Sequence, residues 1–234
     1  MTGTLFLIPV PLGPAAPETC LPPDTLAVAR RLDRFVVERA KTARAHLKSM
    51  GHPRPMQQLD MQELNEHTPA AAIAGLLAPL IAGHDLGLLS EAGCPAVADP
   101  GANLVRAAHA AGIPVVPLVG PSSILLALMA SGLGGQRFAF HGYLPTKEPD
   151  RSRGIQSLEK TARREQATQL FIETPYRAAA LLDALSLTLS PAVLVSVAAD
   201  LGLPGQLVRT QRASDWRGQG ALVKDRLVVF GIGV

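Results

Sequence analysis

The sequence predicts an α/β protein of two domains, with a mostly parallel sheet in residues 1–117 and a mixed sheet in residues 118–234. Three observations lead there. Through the first half, short apolar runs alternate with amphipathic segments, the pattern of strands joined by crossover helices that cover both faces of a parallel sheet. Beyond Val119 the later apolar runs are linked by connections too short for crossover helices, which calls for mixed or antiparallel pairing. Apolar residues make up 47% of the 234, ample for buried cores.

Thr4 to Val10, TLFLIPV, is short, apolar and closed by Pro-Leu-Gly, as expected of a buried strand ending in a tight loop. Thr25 to Leu32 spaces Leu26, Ala29 and Leu32 as a helix does. RFVVE is the next strand, with Glu38 at its exit, and TARAHLKSMG is a basic helix stopped at Gly51. Pro53 to His67 is polar and carries no clear period. Pro69 to Ala82, rich in alanine and leucine, reads as one helix leading to a strand at Leu86 to Leu89. Asp99 then serves as an N-cap with Pro100 at the first helical position, Leu104, Val105, Ala108 and Ala111 form the buried face, and Gly112 ends the helix. IPVVPL follows as a strand.

Near Val119 the pattern changes. Gly120 to Ser123, GPSS, caps a helix, ILLALMAS, that is apolar on every side and is therefore expected to be deeply buried. Strands are expected at Phe138 to Tyr143, Gln169 to Glu173, Val193 to Ala198, Gln206 to Thr210 and Leu227 to Gly231, with helices at Ser152 to Arg164 and Arg177 to Leu185. A cleft between two such lobes is where a ligand is expected.

The formal net charge of +3 admits an anionic partner without demanding one. Cys20 and Cys94 are far apart and form no metal or disulfide pattern, which fits a reducing compartment. The N-terminal MTGTLFLIPVPLGP lacks a basic n-region, and no segment approaches the roughly 18 unbroken apolar residues that span a bilayer. A cytoplasmic protein without membrane association is the expectation. The dinucleotide, Walker and zinc H-E-x-x-H patterns are missing, the histidines are scattered, and no metal is expected.

The most informative stretch is Ser90 to Gly101, SEAGCPAVADPG, between a strand and a helix. Cys94 as a nucleophile is disfavoured by acidic and apolar neighbours, which raise a thiol pKa. Glu91 and Asp99 form a candidate carboxylate pair, with Asp99 as a plain helix cap the simpler reading. The small residues Ala92, Gly93, Ala96 and Ala98 let backbone approach a ligand closely, and the flanking acids suit hydroxyls or an amine. Glu173 to Arg177, ETPYR, is a second strand-exit turn. Lys147, Arg151, Arg153, Lys160, Arg163 and Arg164 form the densest basic region, either a solvated helix face or a surface that tracks phosphates.

In order and spacing, GTLFLIPVPLG at Gly3 to Gly13, SEAGCPAVADPG, AAGIPVVPLVGPSSILLALMASGL at Ala110 to Leu133, RFAFHGYLPTK at Arg137 to Lys147 and FIETPYR at Phe171 to Arg177 resemble the tetrapyrrole methylase family, the class III S-adenosylmethionine-dependent methyltransferases. They are most similar to the branch that methylates the ribose 2′-hydroxyl of a cytidine in 16S ribosomal RNA. The resemblance implies two α/β domains with S-adenosylmethionine in the cleft between them, in a homodimer. It implies cofactor contacts from Pro11, Leu12 and Gly13, from Ser90, Glu91, Ala92 and Gly93, from Val97, Ala98 and Asp99, from Ser122 and Ser123, and from Thr174 beside the adenine. Where that branch carries an acidic run, this chain reads VERAKTAR at Val37 to Arg44, with Glu38 kept in position and Arg39 after it.

Methyl transfer from a sulfonium is an in-line displacement in which positioning dominates, and a ribose hydroxyl acceptor needs a group to take up its proton. Glu38, Glu91 and Glu173 are the acids available, and Glu38 or Glu91 is assigned the role. Three function classes follow: an RNA 2′-O-methyltransferase holding ribosomal RNA or the small ribosomal subunit through the Lys147 to Arg164 basic region, a methyltransferase for a tetrapyrrole or other small acceptor, and a non-catalytic cofactor-binding homologue. Salt-dependent affinity for ribosomal RNA separates the first from the others.

Overall fold

The computed structural model describes residues 2–234, with Ala70 described by its backbone. The chain divides into two compact units, Met1–Ser122 and Ser123–Val234.

The first unit contains β1 (Leu5–Ile8), α1 (Pro23–Arg31), β2 (Arg34–Val37), α2 (Ala40–Ser49), β3 (Asp60–Glu63), α3 (Ala70–Leu76), α4 (Ala78–Ile81), β4 (Leu86–Leu89), α5 (Gly101–Ala110) and β5 (Val115–Pro117). Its sheet runs β3-β2-β4-β1-β5 with every pairing parallel. Strand residues alternate between two cores. Ile8, Phe35, Val37 and Leu89 face α1 and α2 through Leu26, Ala29 and Leu47, whereas Leu5, Val36, Leu86 and Leu88 face α3, α4 and α5 through Leu76, Leu80, Leu104 and Ala108.

Three local expectations change here. The polar stretch 53–67 holds a short strand, β3, at the sheet edge, where one neighbour and wide exposure remove the apolar signature that strand recognition relies on. The single helix expected over Pro69 to Ala82 is broken at Leu77, because Pro79 lacks the N–H that a continuous helix would bond to residue 75. The helix after the SEAGCPAVADPG loop starts at Gly101, one residue later than expected, with Pro100 in the cap position.

The second unit contains α6 (Ser123–Ser131), β6 (Phe138–Tyr143), α7 (Asp150–Glu165), β7 (Thr168–Glu173), α8 (Pro175–Thr188), β8 (Leu194–Ala199), β9 (Leu207–Arg212) and β10 (Val228–Gly233). The sheet order is β6-β7-β10-β8-β9, with β6 parallel to β7 and the other pairings antiparallel. One face packs Phe171 and Phe230, stacked with ring centroids 5.7 Å apart, against Ile155, Leu158, Leu181 and Leu185 of α7 and α8. On the other face Gly231 and Gly233 make room for Leu133, which a Cβ on Gly233 would meet at 2.9 Å.

The expectation that α6 is deeply buried does not hold. Ala127, Leu128 and Ser131 are buried, while Leu125 is 56% and Met129 77% exposed. The helix packs on β8, β9 and β10. Uniform apolarity reports what a helix is made of, and the number of neighbours it meets is set by the fold.

Candidate active site

The strand order of the first unit locates a binding edge. From β1 the chain passes to α1 on one face of the sheet, and from β4 it passes to α5 on the other, although β1 and β4 are hydrogen-bonded neighbours. Loops that leave adjacent parallel strands toward opposite faces open a crevice at the carboxyl ends of those strands, the usual ligand position in such sheets. Here those loops are Pro9 to Gly13 and Ser90 to Pro100. The sequence could not show this, because the neighbour relation of β1 and β4 spans most of the unit.

The two loops are tied together. Val10 N–H donates to the Gly93 carbonyl at 3.0 Å and Gly93 N–H donates back to Val10 at 3.1 Å. Gly93 has φ +71°, and a Cβ there would press on Leu12 at 3.1 Å and on the Pro121 carbonyl at 3.3 Å. The Ser90 hydroxyl donates to the carbonyls of Ala92 and Gly93, and the Cys94 thiol donates to Pro121 at 3.3 Å. Burial pushes the Cys94 thiol up, away from the thiolate a nucleophile needs.

Ala96 and Ala98 adopt left-handed φ of 65° and 59°, a conformation costing an alanine about 1 kcal/mol each. Asp99 holds this turn: its carboxylate accepts from Ala96 N–H at 3.0 Å and from Gly101 N–H at 2.7 Å. Burial pushes the Asp99 carboxyl up, against the lowering effect of those two bonds. Asp99 is therefore a loop clamp as well as a helix-start acceptor.

Glu38, at the exit of β2, stands within electrostatic reach of both acids. Burial raises its carboxyl first, the charges of Glu91 and Asp99 raise it further, and a hydrogen bond from the Glu91 backbone and the nearby Arg39 lower it. The Glu91 carboxylate accepts from the Thr42 hydroxyl at 3.2 Å, and His46 Nε2 lies 3.1 Å from the Glu91 carbonyl. Thr42 and His46, one turn apart on α2, thus brace the loop. No motif marked them; the only sequence signal was their i, i+4 spacing on a helix starting two residues after Glu38.

The structure brings Glu38, Glu91 and Asp99 together at this edge with the Pro11 to Gly13 loop, and places Ser122 at the end of the first unit. Ser123 opens α6 and Thr174 caps α8, both in the second unit. Glu173, the third acid considered, is occupied. Its Oε1 accepts from Thr174 N–H at 2.6 Å, Arg177 Nη2 at 2.6 Å and Arg177 Nε at 2.9 Å, which engages that oxygen in holding the β7 exit. The basic region of α7 is also partly spent: Arg151, Arg153, Arg163 and Arg164 pair with Glu148, Asp150, Glu159 and Glu165 at 2.6–2.9 Å.

A parallel sheet whose switch point carries a small-residue loop beside three carboxylates defines an α/β protein with a candidate ligand-binding edge. The chain matches the Tetrapyrrole (Corrin/Porphyrin) Methylases over residues 7–216, and it belongs to that family. It is 36% identical over 199 residues to ribosomal RNA small subunit methyltransferase I of Xylella fastidiosa, covering 85% of this chain and 68% of that protein. With the protein of the same name from Escherichia coli O157:H7 it shares 34% identity over 183 residues, 78% of this chain and 59% of the relative. Across such curated relatives the chain spans 58–68% of their length. Among solved structures, methyltransferase CobJ superposes with a TM-score of 0.64 at 19% identity, over all of this chain and 94% of that one. The uroporphyrin-III-C-methyltransferase from Thermus thermophilus gives 0.57 at 22% identity, over all of this chain and 93% of its own. Among the described residues no helix is long and apolar enough to cross a membrane.

Proposed function

We propose that this protein is an S-adenosylmethionine-dependent methyltransferase acting on the ribose 2′-hydroxyl of a cytidine in 16S ribosomal RNA. The observation that carries the chemistry is the placing of Glu38 at the carboxyl edge of the sheet beside Glu91 and Asp99 of the small-residue loop, with its carboxyl raised by burial and by their charges. The similarity to proteins named ribosomal RNA small subunit methyltransferase I, over 85% of the chain in one case, supports the choice of RNA.

The loops fit the cofactor. The small side chains of the left-handed Ala96 and Ala98 leave backbone open to close approach, and Glu91 and Asp99 supply acceptors for ribose hydroxyls and for positive charge. Pro11 to Gly13, Ser90 to Gly93, Val97 to Asp99, Ser122, Ser123 and Thr174 are the contacts that the family resemblance implies. When bound, the cofactor supplies a methyl group activated on a sulfonium. Glu38 would hold the ribose hydroxyl and take up its proton, and Glu91, held by Thr42 and His46, stands beside it and contributes a backbone hydrogen bond to its carboxylate. The exposed Leu125 and Met129 of α6 support a homodimer, and a cytoplasmic location suits a ribosomal acceptor.

The test is incubation with methyl-labelled S-adenosylmethionine and small ribosomal subunits from a strain lacking the gene, followed by nuclease mapping. Label on a cytidine ribose is expected. Absence of label, with cofactor binding shown by calorimetry, would overturn the ribosomal reading and direct the search to small acceptors.

A further inference from the structure

We propose that the outer face of α2 is the surface that holds the phosphates of the RNA acceptor. The proposal rests on the RNA reading above and moves the main contact away from α7. From Arg39 to Leu59 the chain carries five lysines and arginines and no acid. Lys41, Arg44 and Lys48 are all exposed and fall on an arc of about 60° extending about 10 Å along the helix. Ala43 and Leu47 are the buried residues of the helix and lie outside that arc.

These three cations differ from the others around them. In the same unit Arg30, Arg31, Arg34 and Arg54 pair with Glu18, Asp85, Asp60 and Asp33. Among the described residues none of Lys41, Arg44 and Lys48 makes an ion pair. Helix stability does not account for them either. Lys48 suits the negative C-terminal end of the helix, but Lys41 stands at the positive N-terminal end, where the Glu63 carboxylate accepts from the Ala40 N–H. Charge placed against the helix dipole, left without partners and solvent-facing, is charge available to an anionic ligand.

Position gives it a use. The helix begins two residues past Glu38, so Lys41 in its first turn lies near the β2 exit, while Thr42 and His46 on the other side of the helix bond to Glu91. A strand presenting one ribose at Glu38 has its neighbouring phosphates beside the first turns of α2.

The experiment measures binding of small ribosomal subunits from a strain lacking the gene, from 50 to 200 mM salt, for the wild type and a Lys41→Gln/Arg44→Gln/Lys48→Gln variant. For a single-stranded contact, loss of three phosphate interactions should reduce the slope of log affinity against log salt by about 2 and weaken binding at least about tenfold at the lowest salt. A Lys41→Arg/Lys48→Arg variant should keep the wild-type slope, and cofactor affinity by calorimetry should be the same in all three. A triple variant with the wild-type slope overturns the α2 assignment and leaves the RNA reading standing. Loss of affinity in the charge-keeping variant also overturns it, since the contact would then not be electrostatic. No salt-dependent binding by the wild type overturns the RNA reading and this proposal with it.

Discussion

The Glu91 backbone N–H donates to the Glu38 carboxylate, so the exits of β2 and β4 are joined by a bond from a loop to the acid that the loop's own side chain repels. Burial keeps the Glu38 carboxyl raised, and the charges of Glu91 and Asp99 add to it. Glu38→Gln retains the shape and the hydrogen bond but cannot accept a proton. Its turnover should fall about 10²–10⁴-fold with cofactor affinity little changed, measured by methyl transfer and calorimetry. The wild-type rate should fall as the pH drops through the raised Glu38 value, above the ordinary glutamate range, and the variant should lose that acidic limb. The stability sign is opposite. A raised folded-state carboxyl favours folding only while protonated, and that benefit is lost as pH rises through the folded value. Glu38→Gln should therefore melt higher than wild type at neutral pH, with the difference vanishing in acid.

Asp99 carries a different load. It holds the turn in which two alanines adopt left-handed backbone, and its two N–H partners lie on either side of that turn. Asp99→Ala removes both bonds and lets Ala96 and Ala98 relax toward ordinary φ. Cofactor affinity should fall about 10–100-fold, equivalent to about 1.4–2.7 kcal/mol, and Asp99→Asn, which keeps one acceptor oxygen, should fall between. Equal affinities in calorimetry would remove Asp99 from the cradle's support.

The alternation of strand and helix through the first unit was legible because fully buried parallel strands such as LGLL are apolar without interruption. The edge strand DMQE was not, since half its surroundings are water and its residues match a loop in composition. At the site, the loop SEAGCPAVADPG was legible from its small residues and acids. Its bracing was not: Thr42 and His46 reach Glu91 across 49 and 45 residues of chain. Long-range pairs of this kind leave no local pattern. The arginines of α7 are a different case: Arg151, Arg153, Arg163 and Arg164 pair with Glu148, Asp150, Glu159 and Glu165, all within four residues along the chain, which supports the solvated face that the sequence also allowed.

Gly120 tests how closely the loops must approach. A Cβ at that position would stand 2.3 Å from Pro9 Cβ and 2.7 Å from Pro9 Cγ, a ring anchored in the backbone that cannot swing aside. Gly120→Ala must push the segment before Ser122 away from the β1 exit. It should cost about 1–3 kcal/mol in chemical denaturation and weaken cofactor binding in parallel, because Cys94 and Gly93 pack on the Pro121 carbonyl beside it. Unaltered stability would mean that the loops tolerate a wider spacing.

Glu173 separates a structural acid from a chemical one. Its side chain is buried, and the Arg177 guanidinium binds it through two nitrogens while Thr174 donates from its backbone. A glutamine there keeps one acceptor oxygen but loses the charge that holds Arg177. Glu173→Gln should therefore lower stability by about 1–3 kcal/mol, read by denaturant titration. It should leave the acidic limb of the rate profile where the wild type has it, since that limb belongs to Glu38. If Glu173→Gln abolished the limb and Glu38→Gln kept it, the proton acceptor would lie at the β7 exit, and the Arg177 pair would have to open during turnover.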